Sequence, residues 1–593
     1  MGELIINPLL NIQKDKKYKT MIFINPYRFG DINDNVFLAL VDNDWSRAAN
    51  WTKGALPTPT ETAIIRADCF LGLNGEIVNK LVVDSPFVFS GTGSITVNAD
   101  CNVNGVMALQ GTLTLKGAVN NITSYDGGTT GTVKYSSNSP QDIAPVSYTN
   151  LELDSDASST KKLIGNTVVL GRFIYTASLD LGTHDFIVYG QSSGIGGTSG
   201  LIRRTSNLGS LIFAGYCEYL SMSYDSTGDV EFRKGLLIYY LPISGTGTWR
   251  FTTNNQTVSN YGGDNRILGK ISIEDIALTI IGSNPLNVVN DVDGTTATSA
   301  FLNNGGLRLY TTSIPMATLG IFNPKVSNAS TMVYAMSGNY TLPYTDYGNL
   351  IVEGGGVKSI SGDTVVNGTL YLANTDIELG GFNFIAYGVG ETNSSAYVRK
   401  SGTTGSTIFA GYFYYFQQKN YGNADIEFRA GFNFYVDGAV VSSATSKFKF
   451  TTNNQTLRTF YANGPEAKET FEIDDIKLTV GEGDGSGQEL LIAGVFIGTT
   501  GSSILENTGK IKYLNASAPM VVGQFITDSA SNTFTYGGDN QDVAGGTYRK
   551  LHFSGTGIKK LLGNVIVNVS AGGEWSVGVD TTIDYNGFTI TTI

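Results

Sequence analysis

At 593 residues the chain is long enough for several ordinary domains or for one long stacked array. Glycine (73) far outnumbers proline (14), charged residues are 15% against about 25% in an average globular domain, and Tyr and Phe (31 and 30) far outnumber Trp (4). That composition excludes a helix-rich protein and favours many short strands joined by tight turns. A net charge of -12, from 39 basic and 51 acidic side chains, argues against a nucleic-acid partner, and no apolar run approaches the roughly 18 residues of a membrane span.

The first element in chain order is an arm over 1–44. Its apolar stretch LIINPLL precedes the basic KDKKYK, the reverse of a secretory signal, so synthesis in a cytoplasm without a signal peptide is expected. Asn25, Pro26, Tyr27, Arg28 and Phe29 form an aromatic and cationic hook on this polar arm, suited to docking on another subunit. A cap for a solenoid is the alternative reading of the same residues.

Residues 45–130 form an opening segment that starts at WSRAANWTKGALPTPTETAII, Trp45 to Ile65. Period-two alternation then predicts half-buried strands, as in Ile95, Val97, Ala99, Cys101 and Val103. The three cysteines, Cys69, Cys101 and Cys217, are too few and too scattered for a disulfide framework or a zinc site. Their places in the alternation predict small apolar side chains facing a core.

From 131 onward the sequence repeats itself with a period close to 200. LIFAGYCEYL from Leu211 returns as TIFAGYFYYF from Thr407, and RFTTNNQTV from Arg250 returns as KFTTNNQTL from Lys449. Blocks beginning at Tyr135, Tyr334 and Tyr536 open three copies, which divides the chain into 131–330, 331–531 and a partial 532–593. Within the copies a short tag recurs at Gln141, Gln256, Tyr340, Gln455 and Gln541, each followed by Gly-bounded strands of five to eight residues. An elongated all-β solenoid (β-helix) fits best, because a coil that cannot bury its own apolar face is covered by its neighbours. Tandem β-sandwiches are the alternative. The third copy stops inside a unit at Ile593 with no atypical capping coil, which implies a longer parent chain.

The residues that carry chemistry elsewhere do not assemble a site in the sequence. His184 aligns with Phe382 and Asn586, and His552 with Glu152 and Ile351, so neither imidazole is repeated. The acidic doublets Glu274–Asp275 and Asp474–Asp475 recur, but neighbouring strand residues point to opposite faces and do not make a facing carboxylate pair. Glu231 with Arg233, and Glu427 with Arg429, are spaced to pair on one strand face. The loops NDVDGT and GEGDGSG lack the terminal Glu of a calcium loop and read as turns. No catalytic residue, metal or cofactor is expected. Tyr216 and Tyr219, repeated as Tyr412 and Tyr415, are the candidate contacts to a glycan or to a neighbouring subunit.

Three stretches carry a resemblance. The Trp45–Ile65 string is similar to the opening of many β-helical surface proteins. Units such as TYGGDNQDVAGGTYRKLHFSGTGIKKLLGNVIVN, from Thr535, resemble repeats of adhesin-like surface and fibre proteins of Bacteroides-type bacteria and their phages. MIFINPYRFG, from Met21, resembles the short opening of tail and receptor-binding proteins of phages infecting such bacteria, crAss-like phages among them. The resemblance implies a tail-fibre or tail-associated virion protein that attaches through its N-terminal arm to other tail subunits and contacts a host surface glycan or protein. It also implies a homo-oligomer, commonly a trimer, with no nucleic-acid partner and no membrane insertion. A bacterial surface adhesin and a polysaccharide-degrading tailspike are the alternative functions.

Overall fold

In the computed structural model the chain is a β-solenoid of about 22 coils, and every strand ladder in it is parallel. The structure describes residues 33–593 apart from 155–158, 195–199, 223–225, 239–245, 263–265, 394–395, 417, 421–424, 435–445, 460–465, 483–488, 521 and 530–531. The hook from Asn25 to Phe29 lies outside the described residues.

Successive coils contribute short strands to three faces in a fixed order, and the strands of a face pair from coil to coil in parallel ladders of three to thirteen strands that are interrupted along the rod. The first face begins at Glu76–Val78, the second at Asp34–Phe37 and the third at Cys69–Leu71. Coils vary from 17 residues, between paired Phe534 and Leu551, to 28, between paired Asp34 and Thr62. This variation sits in the corners, whereas the strands stay at three to five residues in nearly every rung. One ladder runs unbroken across each sequence-repeat boundary, with Gly306 paired to Thr331 on the second face and Lys510 to Thr533 on the third, while the ladders of the other two faces end and restart there.

Alternate strand residues face inward and form columns up the core. On the third face Phe213, Phe232 and Phe251 stack at centroid distances of 5.7 and 5.2 Å. Their counterparts Phe409, Phe428 and Phe450 stack at 5.6 and 5.8 Å on the first face. Full burial of each such ring contributes on the order of 2 kcal/mol, so the rod is held at every rung. The three thiols are buried in the same columns and unpaired; burial pushes those of Cys101 and Cys217 up to about 12. The expected packing role for the cysteines is what the core contains.

The opening segment closes the lower end of this core. Trp45 and Trp51 are buried edge-to-face at 4.6 Å, Trp51 Nε1 donates to Trp45 O, and Phe37 packs on Trp51. Residues 34–37 already pair with Thr62–Ile65, so the described part of the arm is joined to the first coil.

The recurring tag is a corner device. The side-chain amide of Gln141 donates to the carbonyls of Leu115 and Gly117, and Gln541 does the same for Tyr513 and Asn515. Gln256 and Gln455 satisfy Phe232 with Thr252, and Phe428 with Thr451. Where a coil turns, carbonyls leave the ladder, and a buried amide restores their hydrogen bonds. Fully buried lysines serve the same end: Lys161 donates to Ser137 O, Lys358 to Gly338 O and Gly355 O, and Lys559 to Asp539 O.

The period of the sequence is not a whole number of coils. Thr132–Tyr135 lies on the first face, and nine pairing steps up that face lead to Ile321–Asn323. The next copy opens one strand later, with Thr331–Tyr334 on the second face. Nine further steps lead to Gln524–Ile526, and Thr533–Tyr536 opens the third copy on the third face. Each copy therefore occupies nine and one third coils and is turned by a third of a coil relative to the one before.

Candidate functional site

The four tyrosines picked out by the repeat are all half-buried on the outside of the stack. Tyr219 and Tyr415 each sit at a register shift within Cys217–Leu220 and Phe413–Phe416, with left-handed φ of 55° in both copies. A left-handed aromatic residue is strained by about 1–3 kcal/mol, and an inward hydroxyl holds each bulge in place. Tyr175 Oη donates to Tyr219 O and accepts from Ser221 N in one copy; the Thr392 hydroxyl donates to Tyr415 O in the other. Different side chains thus satisfy the same exposed bulge. The Tyr219 ring meets Tyr261 edge-on at 6.4 Å.

Tyr216 and Tyr412 lie at the corner just before those strands. The Tyr216 hydroxyl bonds to Ser259 and that of Tyr412 donates to Asn433, so both rings are fixed on the sheet surface. Burial raises both phenols, that of Tyr412 to about 12.

The same corner carries further groups in adjacent rungs. One rung below Tyr216, Tyr189 precedes Gly190; in the second copy Tyr387 precedes Gly388 below Tyr412, and these rings are 50% and 52% exposed. The intervening Ala-Gly pairs are dictated by stacking: a Cβ on Gly215 would stand 1.7 Å from Gly190 O, and one on Gly411 1.9 Å from Gly388 O. One rung above, Arg233 Nε donates to Glu231 and Arg429 Nε to Glu427, both at 2.6 Å. The pairing expected from the two-residue spacing is formed in both copies, and Thr252 and Thr451 hydroxyls donate to the same carboxylates at 2.7 Å. Those hydrogen bonds and the guanidinium hold the Glu231 carboxyl below its ordinary range despite burial. Next along the chain are the exposed turns Thr253–Asn254–Asn255 and Thr452–Asn453–Asn454, whose first two residues are left-handed in each copy. Sequence reasoning missed Tyr189 and Tyr387; the shared Tyr-Gly of VYGQ and AYGV is the signal that points to them.

The acidic doublets sit at strand ends, with Asp275 and Asp475 left-handed at φ 46° and 51°. Glu274 accepts from Arg250, Asp275 from Thr296 and Thr298, Asp474 from Thr499 and Asp475 from Thr500. They tie successive rungs together rather than facing each other across a groove. NDVDGT is not a turn throughout: Val292–Gly294 is a strand paired with Ile271–Ile273, and its Asp293 pairs with Lys270 at 2.6 Å, while 483–488 of GEGDGSG lie outside the described residues. Among the described residues no cluster of three or more His, Cys, Asp or Glu is arranged to hold a metal.

One constellation was not visible in the repeat comparison. His552 Nδ1 lies 2.7 Å from Ser576 Oγ, its partner in the ladder, and Nε2 lies 3.8 Å from Glu574. These side chains line an outward row of the sheet, like the Lys134–Glu152 pair lower in the rod. A recess of about 140 Å³ on the third face is lined by Arg204, Asn207, Asp229, Glu231 and Arg250 among others. It is well below the roughly 300 Å³ at which small-molecule clefts begin. Compared with protein-family models, curated proteins and solved structures, the chain matches none of them.

Proposed function

We propose that this chain is the shaft of an attachment fibre on a phage tail, a structural and non-enzymatic virion protein. Residues 1–44 join it to other tail subunits, the shafts associate as a homo-oligomer, a trimer by the resemblance, and the outer surface contacts a host glycan or protein by multivalent binding. The observation that carries this reading is the shape: about 22 coils at about 4.8 Å per rung give a shaft about 100 Å long. Length of that kind sets a surface at a distance from an anchor, which is what attachment needs and small-molecule catalysis does not.

Cryo-electron microscopy of the intact particle tests it. The expected result is density for the solenoid projecting from a tail, with the part of the 1–44 arm ahead of Asp34 traced into a neighbouring subunit. A chain anchored in a bacterial envelope would replace the reading with a surface adhesin. Release of reducing ends from host polysaccharide by the purified chain would replace it with a depolymerase.

A further inference from the structure

The two long copies differ even in the core, where Cys217 stands against Phe413, and on the surface, where Lys234 stands against Ala430. What both keep on an exposed corner therefore needs a reason. Stacking explains Gly215 and Gly411, and carbonyl satisfaction explains Gln256 and Gln455. Neither explains Tyr189 and Tyr387, which are half exposed and support nothing above them but Ala-Gly. Nor do they explain Thr253 and Thr452, which are exposed and left-handed at φ 54° and 58° and whose hydroxyls make only a long 3.4 Å contact with those of Thr252 and Thr451. A β-branched residue is the costly choice there, and Gly or Asn would relieve the strain. Strain kept twice at a solvent-facing position points to use of the side chain.

We propose that each of these corners, Tyr189 with Tyr216 and Thr253–Asn255, and Tyr387 with Tyr412 and Thr452–Asn454, is a binding site for one uncharged oligosaccharide lying along the rod. Tyrosine rings offer flat apolar faces to the C–H faces of sugars, and the turn offers the Thr hydroxyl and the Asn254 or Asn453 amide to sugar hydroxyls, while the Oδ1 atoms of Asn255 and Asn454 accept from Ala277 N and Lys477 N of the next rung. The arginine between them is already committed to its glutamate at 2.6 Å in both copies, and the exposed cations beside the rings, Lys234 in the first strip and Arg458 in the second, have Ala430 and Ser259 as counterparts, so no unpaired cation is common to the two strips and the net charge of -12 disfavours an acidic sugar. The rung spacing of about 4.8 Å is close to the length of one sugar residue in an extended chain, so successive residues meet successive rungs. Because the copies are a third of a coil out of phase, the two strips lie on different edges of the rod and engage separate glycan chains. The inference rests on the attachment reading and names its ligand class.

Isothermal titration of the 593-residue chain with neutral gluco-, manno-, galacto- and xylo-hexaoses, and with acidic oligogalacturonate, tests it. At least one neutral hexaose is expected to bind at two sites per chain. Tyr189→Ala and Tyr387→Ala should each leave one site, and the double variant should bind at least about tenfold more weakly. Both rings are half exposed, so the melting temperature should be unchanged. Thr253→Gly should weaken one site without lowering the melting temperature, which separates ligand contact from support of the fold. Binding of the acidic probe alone, binding of none of the neutral hexaoses, or neutral binding that survives the double variant overturns the proposal. Failure here with the chain found on a tail sinks the strips and leaves the fibre. Two-site binding by a chain found in a cell envelope does the reverse.

Discussion

Replacing Gly215 by alanine probes the stacking of the corner directly. The new Cβ would stand 1.7 Å from Gly190 O and 2.3 Å from Gly190 C, both backbone atoms of the rung below. Ordinary contact needs roughly 3.4 Å or more, so adjacent rungs must part by more than an ångström where a coil spacing is only about 4.8 Å. The hydrogen bonds between these two rungs beside the contact are Ala214 N to Val188 O at 2.7 Å, Gly215 N to Val188 O at 3.3 Å and Ser192 N to Tyr216 O at 3.0 Å. Weakening these three costs about 3 kcal/mol at about 1 kcal/mol each, and the lost contact between rungs adds to it. In a cooperative block the size of one repeat, that lowers the melting temperature by about 6–12 °C. Gly501→Ala is the control, since nothing lies within 4 Å of its Cβ position and its φ is not positive; it should be neutral or stabilise by about 0.5 kcal/mol. Thermal melts followed by circular dichroism read the difference, and hydrogen exchange locates the loss around 188–217. Equal melting temperatures for Gly215→Ala and Gly501→Ala would refute the stacked-corner geometry.

The tyrosine pairs that open the copies should respond unequally to loss of a hydroxyl. Tyr135 Oη accepts from Ala144 N at 3.0 Å, and Tyr536 Oη from Ala544 N at 3.0 Å, whereas the matching residue in the second copy is Pro343, which has no N–H. Tyr135→Phe and Tyr536→Phe should each cost about 1–3 kcal/mol by orphaning that amide, and Tyr334→Phe about 1 kcal/mol less; equal shifts in urea midpoints would contradict the network. Lys161 supplies a pH signature: burial lowers its pKa to about 8, while the unfolded chain holds the proton to about 10.4. Between those values the unfolded state binds more protons, so stability should rise with pH from about 8 to 10.4. Lys161→Met should flatten that rise in a series of denaturation midpoints, and an unchanged slope would exclude Lys161 as its source.

Much of this architecture was legible because stacking imposes the same demand at every rung. Alternation at Ile95, Val97, Cys101 and Val103 is alternation between core and solvent, and all four are buried, whereas Ala99 between them is the half-buried corner that splits the run into two strands on different faces. The Gln tag was visible without its meaning, since its acceptors, such as Leu115 and Gly117 for Gln141, lie a coil earlier and two dozen residues away. The Glu231–Arg233 pair was readable from spacing because both members lie on one strand face. The His552–Ser576 contact was not, because its partners are joined by coil length, and coil length varies from 17 to 28 residues with no marker in the corners. The same variability hid the number of coils per repeat, and with it the relative orientation of the tyrosine corners.

That orientation follows from two lengths that no local rule connects. Tyr135, Tyr334 and Tyr536 are 199 and 202 residues apart, and each interval is spent in nine and one third coils. Had each copy closed in nine whole coils, Tyr216 and Tyr412 would stand on one edge and a single straight ligand could run past both. With the extra third, equivalent points are about 45 Å apart along the axis, from the coil count and about 4.8 Å per rung, and face different directions around it. One flat surface cannot meet both corners of one rod. In an assembly of parallel rods the geometry inverts: a given side of the bundle receives the lower corner from one rod and the upper corner from another. Avidity then comes from the number of rods that face the surface, and an oligomer of chains carrying one intact corner should hold a glycan-coated surface more tightly than the same chain does through its single site as a monomer.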